Sequence, residues 1–517
     1  MARVAVSRGR GPAVIAGAVA AALLLAGCST GSKVDVKGSG GAGGASGTLK
    51  VAIAGEPDQL DPQKTSSYFS FEVLENVFDT LVEPDAKLTM QPALAKSWTT
   101  STDQLTWTFS LRQGVTFQDG SKFSASDVVY SYNRIIDDKL SNAYKFANVK
   151  SVTAKDPSTV VISLKQPTPN LLSNLGGFKG MAIVEKSNVT DKKIATQPIG
   201  TGPFSVAKWT QGDSITLKAN PKYWGGAPKV AGITYRFISS GATAIAALKS
   251  GEIDWTDSIP AQQVSTLKSA SGITLGNVPS NDYWYLALNE KRKPWNDVRV
   301  RQAIAYAINR DDIVKVAKYG NAQVNELAIP KQSAWYTSYD KYSTNIAKAK
   351  QLLSQAGVSG TVKLDFLATS DYPETVSAAQ VIADELQPLG IKVSIRTPDF
   401  ATWLQQQNSG KFDMLMMGWL GNIDPDDFYY NQHHTGGGSN AQGYSNKTVD
   451  KLLDAARTET DQAKRKQDYA QAATQIADDA SYIYLYNPTV IQAYDSKVKG
   501  YTVRGDRAIR FKDVSLG

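Results

Sequence analysis

Hydrophobic and polar positions follow two different periods along the chain, and segments of the two kinds succeed one another. In Thr106–Leu111 every second residue is apolar, with Trp107 and Phe109 between polar neighbours, which is the spacing of a half-buried strand. In Val298–Val316 the apolar residues recur every three or four positions, which predicts a helix, and Asn296 or Asp297 is placed to cap it. The alternation of strands and helices predicts an α/β chain.

The same periods predict further elements through the rest of the sequence. The predicted strands are Leu49–Ala54, Val160–Leu164, Ser214–Lys218, Ile233–Phe237, Val362–Ala368, Val393–Arg396 and Phe412–Met417. The predicted helices are Val128–Ile136, Ala242–Lys249, Ile346–Ala356, Val376–Leu386, Thr448–Arg457 and Ala463–Asp478. Ser126 or Asp127 is expected to cap the first of these helices. A length of 517 residues predicts two or three domains.

The N-terminus has the order of a secretory signal. Three arginines precede Ala13–Ala26, an apolar run shorter than the ~20 residues of a membrane span, and Leu-Ala-Gly-Cys follows at 25–28. This ending resembles a bacterial lipobox, in which the cysteine is acylated. Cys28 is the single cysteine, so no intramolecular disulfide is expected. We expect a lipoprotein signal peptide with its lipobox at 1–28 and a flexible Gly/Ser tether at 29–47, with Cys28 holding the protein at the outer face of the cytoplasmic membrane.

Charge changes this picture little. The formal net charge is +8, with no basic block along the chain and three of the positive charges in the signal. This distribution argues against a nucleic-acid partner.

One long segment carries a family resemblance. Thr106–Leu111 continues as Arg-Gln-Gly-Val-Thr-Phe-Gln-Asp-Gly at 112–120 and as Phe-Ser-Ala-Ser-Asp-Val at 123–128. It resembles the signature of the extracytoplasmic solute-binding proteins of peptide and nickel ABC transporters (family 5, the oligopeptide- and dipeptide-binding type). Further similar blocks occur in the family's order at Pro198–Phe204, Asn220–Lys229, Gly251–Trp255, Asp297–Arg310 and Tyr444–Leu453. The resemblance covers roughly residues 48 to 517.

The resemblance implies an α/β, two-lobed periplasmic-binding-protein-like fold (type II, three-domain large variant) with a hinge and an inter-lobe cleft. Domain I would comprise residues 48–85, 200–290 and 485–517, domain II would be an insertion at 86–199, and domain III would span 291–484. Asn289–Lys293 and Tyr486–Pro488 are the expected hinge segments. The implied function is that of a monomeric substrate-binding component, without cofactor or metal, that delivers oligopeptide-like solutes to ABC permease subunits.

Residues of the site follow from the same resemblance. Family members hold the ligand between domains I and III, and peptide binders pair its backbone with extended protein segments. The matching positions, together with Trp284 near the hinge, are Ser66, Ser67, Tyr68, Phe69, Gly418, Trp419, Leu420, Asn422 and Asp424. Gly418 permits close backbone approach, and Trp419 offers either a flat apolar wall or core packing. Alternation places Tyr283 and Tyr285 on one face and Trp284 on the other.

The sequence departs from the peptide-binding pattern at two points. Asn422 stands where peptide binders commonly place an aspartate for the ligand's ammonium, and no arginine for a carboxylate occurs at 369–374. A dipeptide held at both ends is therefore disfavoured, whereas a longer or modified peptide or an oligosaccharide remains open. Asp424 is a candidate for the main charged contact, and a turn carboxylate that caps the next segment is the alternative interpretation.

Other chemistry has weaker support in the sequence. His433 and His434 suggest a binder of nickel or a metal chelate, but adjacent side chains point apart, and we favour a loop at this position. The motifs G-x-S-x-G, G-x-x-x-x-G-K-[ST] and H-E-x-x-H do not occur. A glycosidase on carboxylate pairs such as Asp426–Asp427 is a distant alternative, so we expect a binding protein and not an enzyme.

Overall fold

The structure, a computed structural model, describes residues 47–420 and 423–517, the side chain of Lys179 excepted. The predicted signal, Cys28 and the tether up to residue 46 lie outside the described residues, as does Asn422. No helix in the described part of the chain is long and apolar enough to cross a membrane.

Twenty strands occur among the described residues, most of them short. They are β1 (Thr48–Ile53), β2 (Val82–Pro84), β3 (Met90–Pro92), β4 (Ala95–Thr100), β5 (Thr106–Leu111), β6 (Val149–Asp156), β7 (Thr159–Leu164), β8 (Phe204–Thr210), β9 (Ser214–Ala219), β10 (Gly232–Phe237), β11 (Trp255–Thr256), β12 (Ile273–Pro279), β13 (Tyr283–Leu288), β14 (Ala322–Val324), β15 (Val362–Leu367), β16 (Ile391–Arg396), β17 (Met414–Trp419), β18 (Tyr482–Asp495), β19 (Val498–Lys499) and β20 (Ser515–Leu516).

Fifteen α-helices lie in the same part of the chain. They are α1 (Tyr68–Leu74), α2 (Ala125–Asp137), α3 (Leu171–Gly176), α4 (Phe178–Met181), α5 (Lys186–Thr190), α6 (Gly241–Lys249), α7 (Val264–Lys268), α8 (Val298–Ala307), α9 (Arg310–Lys318), α10 (Ile346–Gln355), α11 (Pro373–Leu386), α12 (Phe400–Asn408), α13 (Pro425–His433), α14 (Lys447–Thr458) and α15 (Gln462–Asp478).

A twelve-stranded sheet organises most of these elements. Its order is β16-β15-β17-β13-β18-β11-β1-β10-β9-β8, and β12 and β14 also pair with β18. The central strand β18 is 14 residues long. Its first half pairs with β13 and β14, and its second half pairs with β12 and β11. A separate antiparallel sheet has the order β4-β5-β7-β6.

Three large groups of buried side chains form the cores. The first is drawn from Tyr283–Tyr486, the second from discontinuous segments that include β1, β10 and the C-terminal residues, and the third from Leu81–Ile183. The second and third cores meet at residues 181–184, where Met181 and Ile183 face one core and Ala182 and Val184 face the other. The predicted domain boundaries stay predictions.

The alternation read from the sequence is confirmed in β5, where Trp107, Phe109 and Leu111 are buried and the residues between them are half-buried. The predicted cap of the next helix is wrong. α2 begins at Ala125, about one turn earlier, and Ser124 is its N-cap in a capping box whose other member is Asp127. The pattern identified the apolar face of the helix from Val128 onward but not its first turn, where Ser126 and Asp127 are polar and Ala125 is the one buried apolar residue.

The single helix predicted over Val298–Val316 is also wrong. It is two helices, α8 and α9, separated at Ile308 and Asn309. Asp297 caps α8, as predicted, and Asn309 caps α9 by accepting from the N–H groups of Asp311 and Asp312. An asparagine side chain that bonds the following backbone starts a new helix, although the apolar period continues across it.

Candidate functional site

β17 has a strand partner along its whole length on one side, but only along part of its length on the other side. β13 pairs with β17 from Met414 to Trp419. On the other side β15 reaches only Met414 and Leu415, because β15 ends at Leu367. Within the described residues, Met416–Trp419 therefore has no strand partner on the β15 side. An unpaired edge of this kind is a template for another extended backbone.

A pocket of about 460 Å³ adjoins the end of this strand. Its walls come from α1, β13, α12 and β17 and are mostly apolar or aromatic. The lining residues are Ser66, Tyr68, Phe71, Trp284, Tyr285, Tyr372, Phe400, Trp403, Leu404, Gln407, Asn408, Met417, Gly418, Trp419, Leu420, Gly438 and Ser439. None of these side chains carries a formal charge, so the pocket walls suit an apolar group.

Trp284 and Gly418 fit together at the floor of this pocket. A Cβ atom at Gly418 would lie 2.8 Å from Cε2 of Trp284. The indole of Trp284 packs edge-on against Tyr372 and is stacked on Tyr486, with ring centroids 6.0 and 6.3 Å away. Glycine at 418 is thus required by the close approach of a ring and not by its own backbone angles. The rings of Tyr283 and Tyr285 pack against each other, as the alternation predicts.

The first segment predicted to bind ligand, Ser66–Phe69, spans the start of α1, and only part of it faces the pocket. Ser66 and Tyr68 line the pocket. Ser67 occupies the N-cap position in extended conformation, and its N–H donates to Oγ1 of Thr65 at 3.0 Å. Phe69 points away and packs against Gly55, where a Cβ would lie 2.5 Å from its ring. Of the ten residues predicted for ligand binding, the structure brings together six at this pocket: Ser66, Tyr68, Trp284, Gly418, Trp419 and Leu420. Their role as ligand contacts stays a prediction.

Asp424 lies elsewhere, on a second and larger groove of about 970 Å³. Its carboxylate accepts from the N–H of Asp426 at 3.0 Å and so caps α13. The same carboxylate forms a two-point ion pair with Arg465, at 2.6 and 2.9 Å, and both side chains are about 95 % buried. This geometry agrees with the alternative interpretation from the sequence, in which Asp424 is a turn carboxylate that caps the next segment. A carboxylate already neutralised by an arginine offers little charge to a ligand.

A group of charged residues lies beside the pocket, behind the ring of Tyr68. The Tyr68 hydroxyl donates to Oδ2 of Asp257 at 3.2 Å. Burial raises the pKa of Asp257, and burial together with the neighbouring Asp257 raises the pKa of Glu72 well above the usual range. The Nε of Arg507 donates to Oδ2 of Asp282 at 2.5 Å. Arg507 itself has a left-handed backbone with φ of 62°, a conformation that costs energy and is often found at functional sites.

His433 and His434 have separate surroundings. His433 is the last residue of α13, so the predicted loop is wrong at this residue. It is fully buried between Ser481 Oγ and Tyr484 Oη, each 3.0 Å from a ring nitrogen, and burial lowers its pKa to about 3. His434 stacks on Tyr430 instead. In the described ranges no three His, Cys, Asp or Glu residues are grouped so that they could hold a metal ion.

Several pocket residues have no individual signal in the sequence. Phe400, Trp403 and Leu404 come from α12, which enters the site only because β16 lies two strands from β17. Leu404 is 42 % exposed and adds apolar surface to the wall of the pocket.

Comparison with known proteins adds family evidence to this geometry. Residues 89–440 match the model of the bacterial extracellular solute-binding proteins, family 5 middle. The glutathione-binding protein GsiB of Escherichia coli K12 is 29 % identical over 483 residues, which are 90 % of this chain and 94 % of GsiB. The periplasmic binding protein DppA of Helicobacter pylori, solved with the peptide STSA, superposes with a TM-score of 0.80 at 30 % identity and covers 91 % of this chain and 98 % of its own.

A relative with a different ligand is equally similar in fold. NikZ of Campylobacter jejuni, solved with Ni(L-His), has a TM-score of 0.77 at 26 % identity and covers 88 % of this chain and 96 % of its own. The shared fold therefore leaves the solute to be argued from the pocket.

Proposed function

The chain belongs to the bacterial extracellular solute-binding proteins of family 5, and on that premise we propose that it captures oligopeptide-like solutes in the cleft between its two lobes. The fold of this family is the two-lobed, type II arrangement, and its members work with ABC permeases outside the cytoplasm. They are substrate-binding transport proteins and not enzymes. The solute itself has to come from the site of this chain.

The observation that supports a peptide-like solute is the unpaired edge of β17. An extended peptide added beside Met416–Trp419 would continue the sheet where β15 stops. Main-chain hydrogen bonds of this kind give affinity without reading side chains, and neighbouring pockets then supply the selectivity. Three residues of this edge, Met417, Gly418 and Trp419, also line the pocket of about 460 Å³.

The pocket walls favour an apolar solute side chain at this position. Burial of about 100 Å² of apolar surface contributes roughly 2.5 kcal/mol, whereas an uncompensated charge in the same place would be penalised. Tyr372, Phe400 and Trp403 supply rings for such a contact. Nickel chelates gain no comparable support, because the walls offer neither histidines nor charged side chains. An oligosaccharide would stack on the same rings, but it has no peptide main chain to pair with the edge of β17.

Attachment and delivery complete the proposal. Cys28, acylated and left as the first residue once residues 1–27 are removed, would hold the monomer at the outer face of the cytoplasmic membrane through a short tether. Domains I and III, with the boundaries given above, would close on the solute by hinge motion, and the permease would receive it there. A Cys28→Ser variant should leave the membrane fraction, which cell fractionation measures.

The solute class is tested with synthetic peptides. The mature protein without bound solute is mixed with a pool of tri- to pentapeptides of random sequence, and retained masses are read by native mass spectrometry. Members that bind are then remade with N-methylated backbone amides, which keeps every side chain and removes donors. Affinity should fall tenfold or more, about 1.4 kcal/mol. Retention of nickel–histidine or of a maltooligosaccharide, with no peptide retained, would reject the proposal.

A further inference from the structure

Glu72 is a buried carboxyl group without an obvious partner. It lies on α1 and is 2 % exposed. Neither carboxyl oxygen accepts a hydrogen bond from a donor among the described residues. The polar group within hydrogen-bonding reach is another carboxyl, that of Asp257. Two carboxyl groups in such contact share a proton, because both cannot ionise cheaply side by side.

The surroundings of this pair are short of positive charge. Arg507 is the cation that acts on both carboxyl groups, and its Nε is engaged with Asp282 at 2.5 Å. Glu75, which also acts on Glu72, is itself stabilised by the N–H of Ile509 and by Arg510. With one shared proton in the Glu72–Asp257 pair, the cluster formed by this pair, Asp282 and Arg507 therefore has about one negative charge in excess.

Tyr68 connects the pair with the pocket. The ring of Tyr68 lines the pocket, and its hydroxyl donates to Asp257 at 3.2 Å. Tyr68 and Glu72 are four residues apart on α1 and so lie on one face of the helix. Asp257 is partly exposed, whereas Glu72 is enclosed behind it. A group that enters along the Tyr68 ring meets Asp257 first.

We propose that the Glu72–Asp257 pair is the receptor for a cationic group of the solute, an ammonium or a guanidinium. The inference rests on the proposed function and narrows it to solutes with both a cation and an apolar part. The cation brings one positive charge to a pair with one negative charge, so the occupied site is neutral. The face of Tyr68 adds a cation–π contact. Asp257 is the contacting group, and Glu72 holds its carboxyl in position.

The walls of the pocket offer no charged partner for the cation. Its own walls are uncharged, and Asp424 is already paired with Arg465. A charged amine left among the pocket rings would lose its hydration without compensation. The apolar part of the solute and its cation therefore occupy two neighbouring positions, with Tyr68 between them.

The test compares two peptide pools on the wild-type protein. One is a tri- to pentapeptide pool without arginine and with free amines, and the other is the same pool after acetylation of every amine. Native mass spectrometry and calorimetry on the retained members should show at least tenfold weaker binding after acetylation. In Asp257→Asn that preference for the free amine should shrink to less than threefold, whereas Glu72→Gln, which imitates the protonated carboxyl and leaves Asp257 charged, should keep it.

Glu75→Gln is the matched control. It makes the same chemical change on the neighbouring part of the helix, at a carboxyl that already has partners, and it should keep the wild-type preference. Equal binding of both pools by the wild-type protein would overturn the inference and leave the proposed function standing. So would an unchanged preference in Asp257→Asn. If neither pool bound, the proposed function would fail together with the inference.

Discussion

The buried ion pair between Asp424 and Arg465 gives a sharp prediction about stability. Asp424→Asn keeps an oxygen that caps α13 but removes the negative charge opposite a guanidinium that is about 95 % buried. Breaking a buried pair by removal of one partner costs roughly 3–5 kcal/mol. Arg465 also lies 5.0 Å from the ring of Trp335 and donates to the carbonyl of Ala456. We therefore expect the lower end of that range, about 3 kcal/mol.

The assay is urea unfolding followed by tryptophan fluorescence. The loss should persist at 1 M salt, because a buried pair is poorly screened. The double variant Asp424→Asn, Arg465→Met removes both charges, so it should recover most of the stability that the single Asn variant loses. The reasoning is refuted if Asp424→Asn unfolds within 0.5 kcal/mol of the wild-type protein, a threshold of about half the cost of a typical point mutation.

The same variant separates the two roles considered for Asp424. If the Asp424–Arg465 ion pair stabilises the fold and does not contact the solute, Asp424→Asn should bind free-amine peptides with unchanged affinity under conditions where it is folded. A tenfold loss of binding without a loss of stability would make Asp424 the charged ligand contact instead.

Three further outcomes follow from the geometry. Gly418→Ala should weaken peptide binding about tenfold, because its Cβ displaces Trp284 at 2.8 Å, and calorimetry measures this. Burial raises the pKa of Glu72, so its ionisation opposes folding once the pH exceeds the unfolded value. Glu72→Gln should therefore raise the melting temperature at pH 8 and leave it nearly unchanged at pH 4. His433 has a pKa of about 3 in the fold against 6.5 unfolded. Its contribution is complete above pH 6.5 and is lost as the pH falls, by about 2 kcal/mol between pH 7 and 5 in urea unfolding, a loss that His433→Gln should abolish.

Local periodicity and family resemblance predicted the larger part of the fold. β5 needed only its own alternation, and the start of α8 needed only Asp297. The prediction failed where a polar side chain competes with the apolar period, as Asn309 does when it ends one helix and begins the next. Such a choice depends on where the following helix packs, and a single sequence does not contain that information directly.

The candidate site was predictable in part for a related reason. Gly418 and Trp419 belong to one motif and could be found together. Tyr372 and the residues of α12 line the same pocket because the strands that precede them, β15 and β16, lie one and two strands from β17 in the sheet. The pairing of Asp424 with a residue 41 positions later was equally hidden. Long-range contacts between charged side chains leave no local period, so the sequence supported two readings of Asp424 with similar weight.

The 14-residue strand β18 has a consequence for dissecting the protein. One half of it completes the pairing of β13 and β14, and the other half completes that of β11 and β12. A cut before Tyr482 would remove β18 from β13 and β14 and also from β11 and β12. Each of these strands would lose a partner, so we expect that neither fragment folds on its own. For split-reporter or circularly permuted sensors built on this scaffold, new termini belong in surface turns such as the one at Gly212, and never within the strand that both halves share.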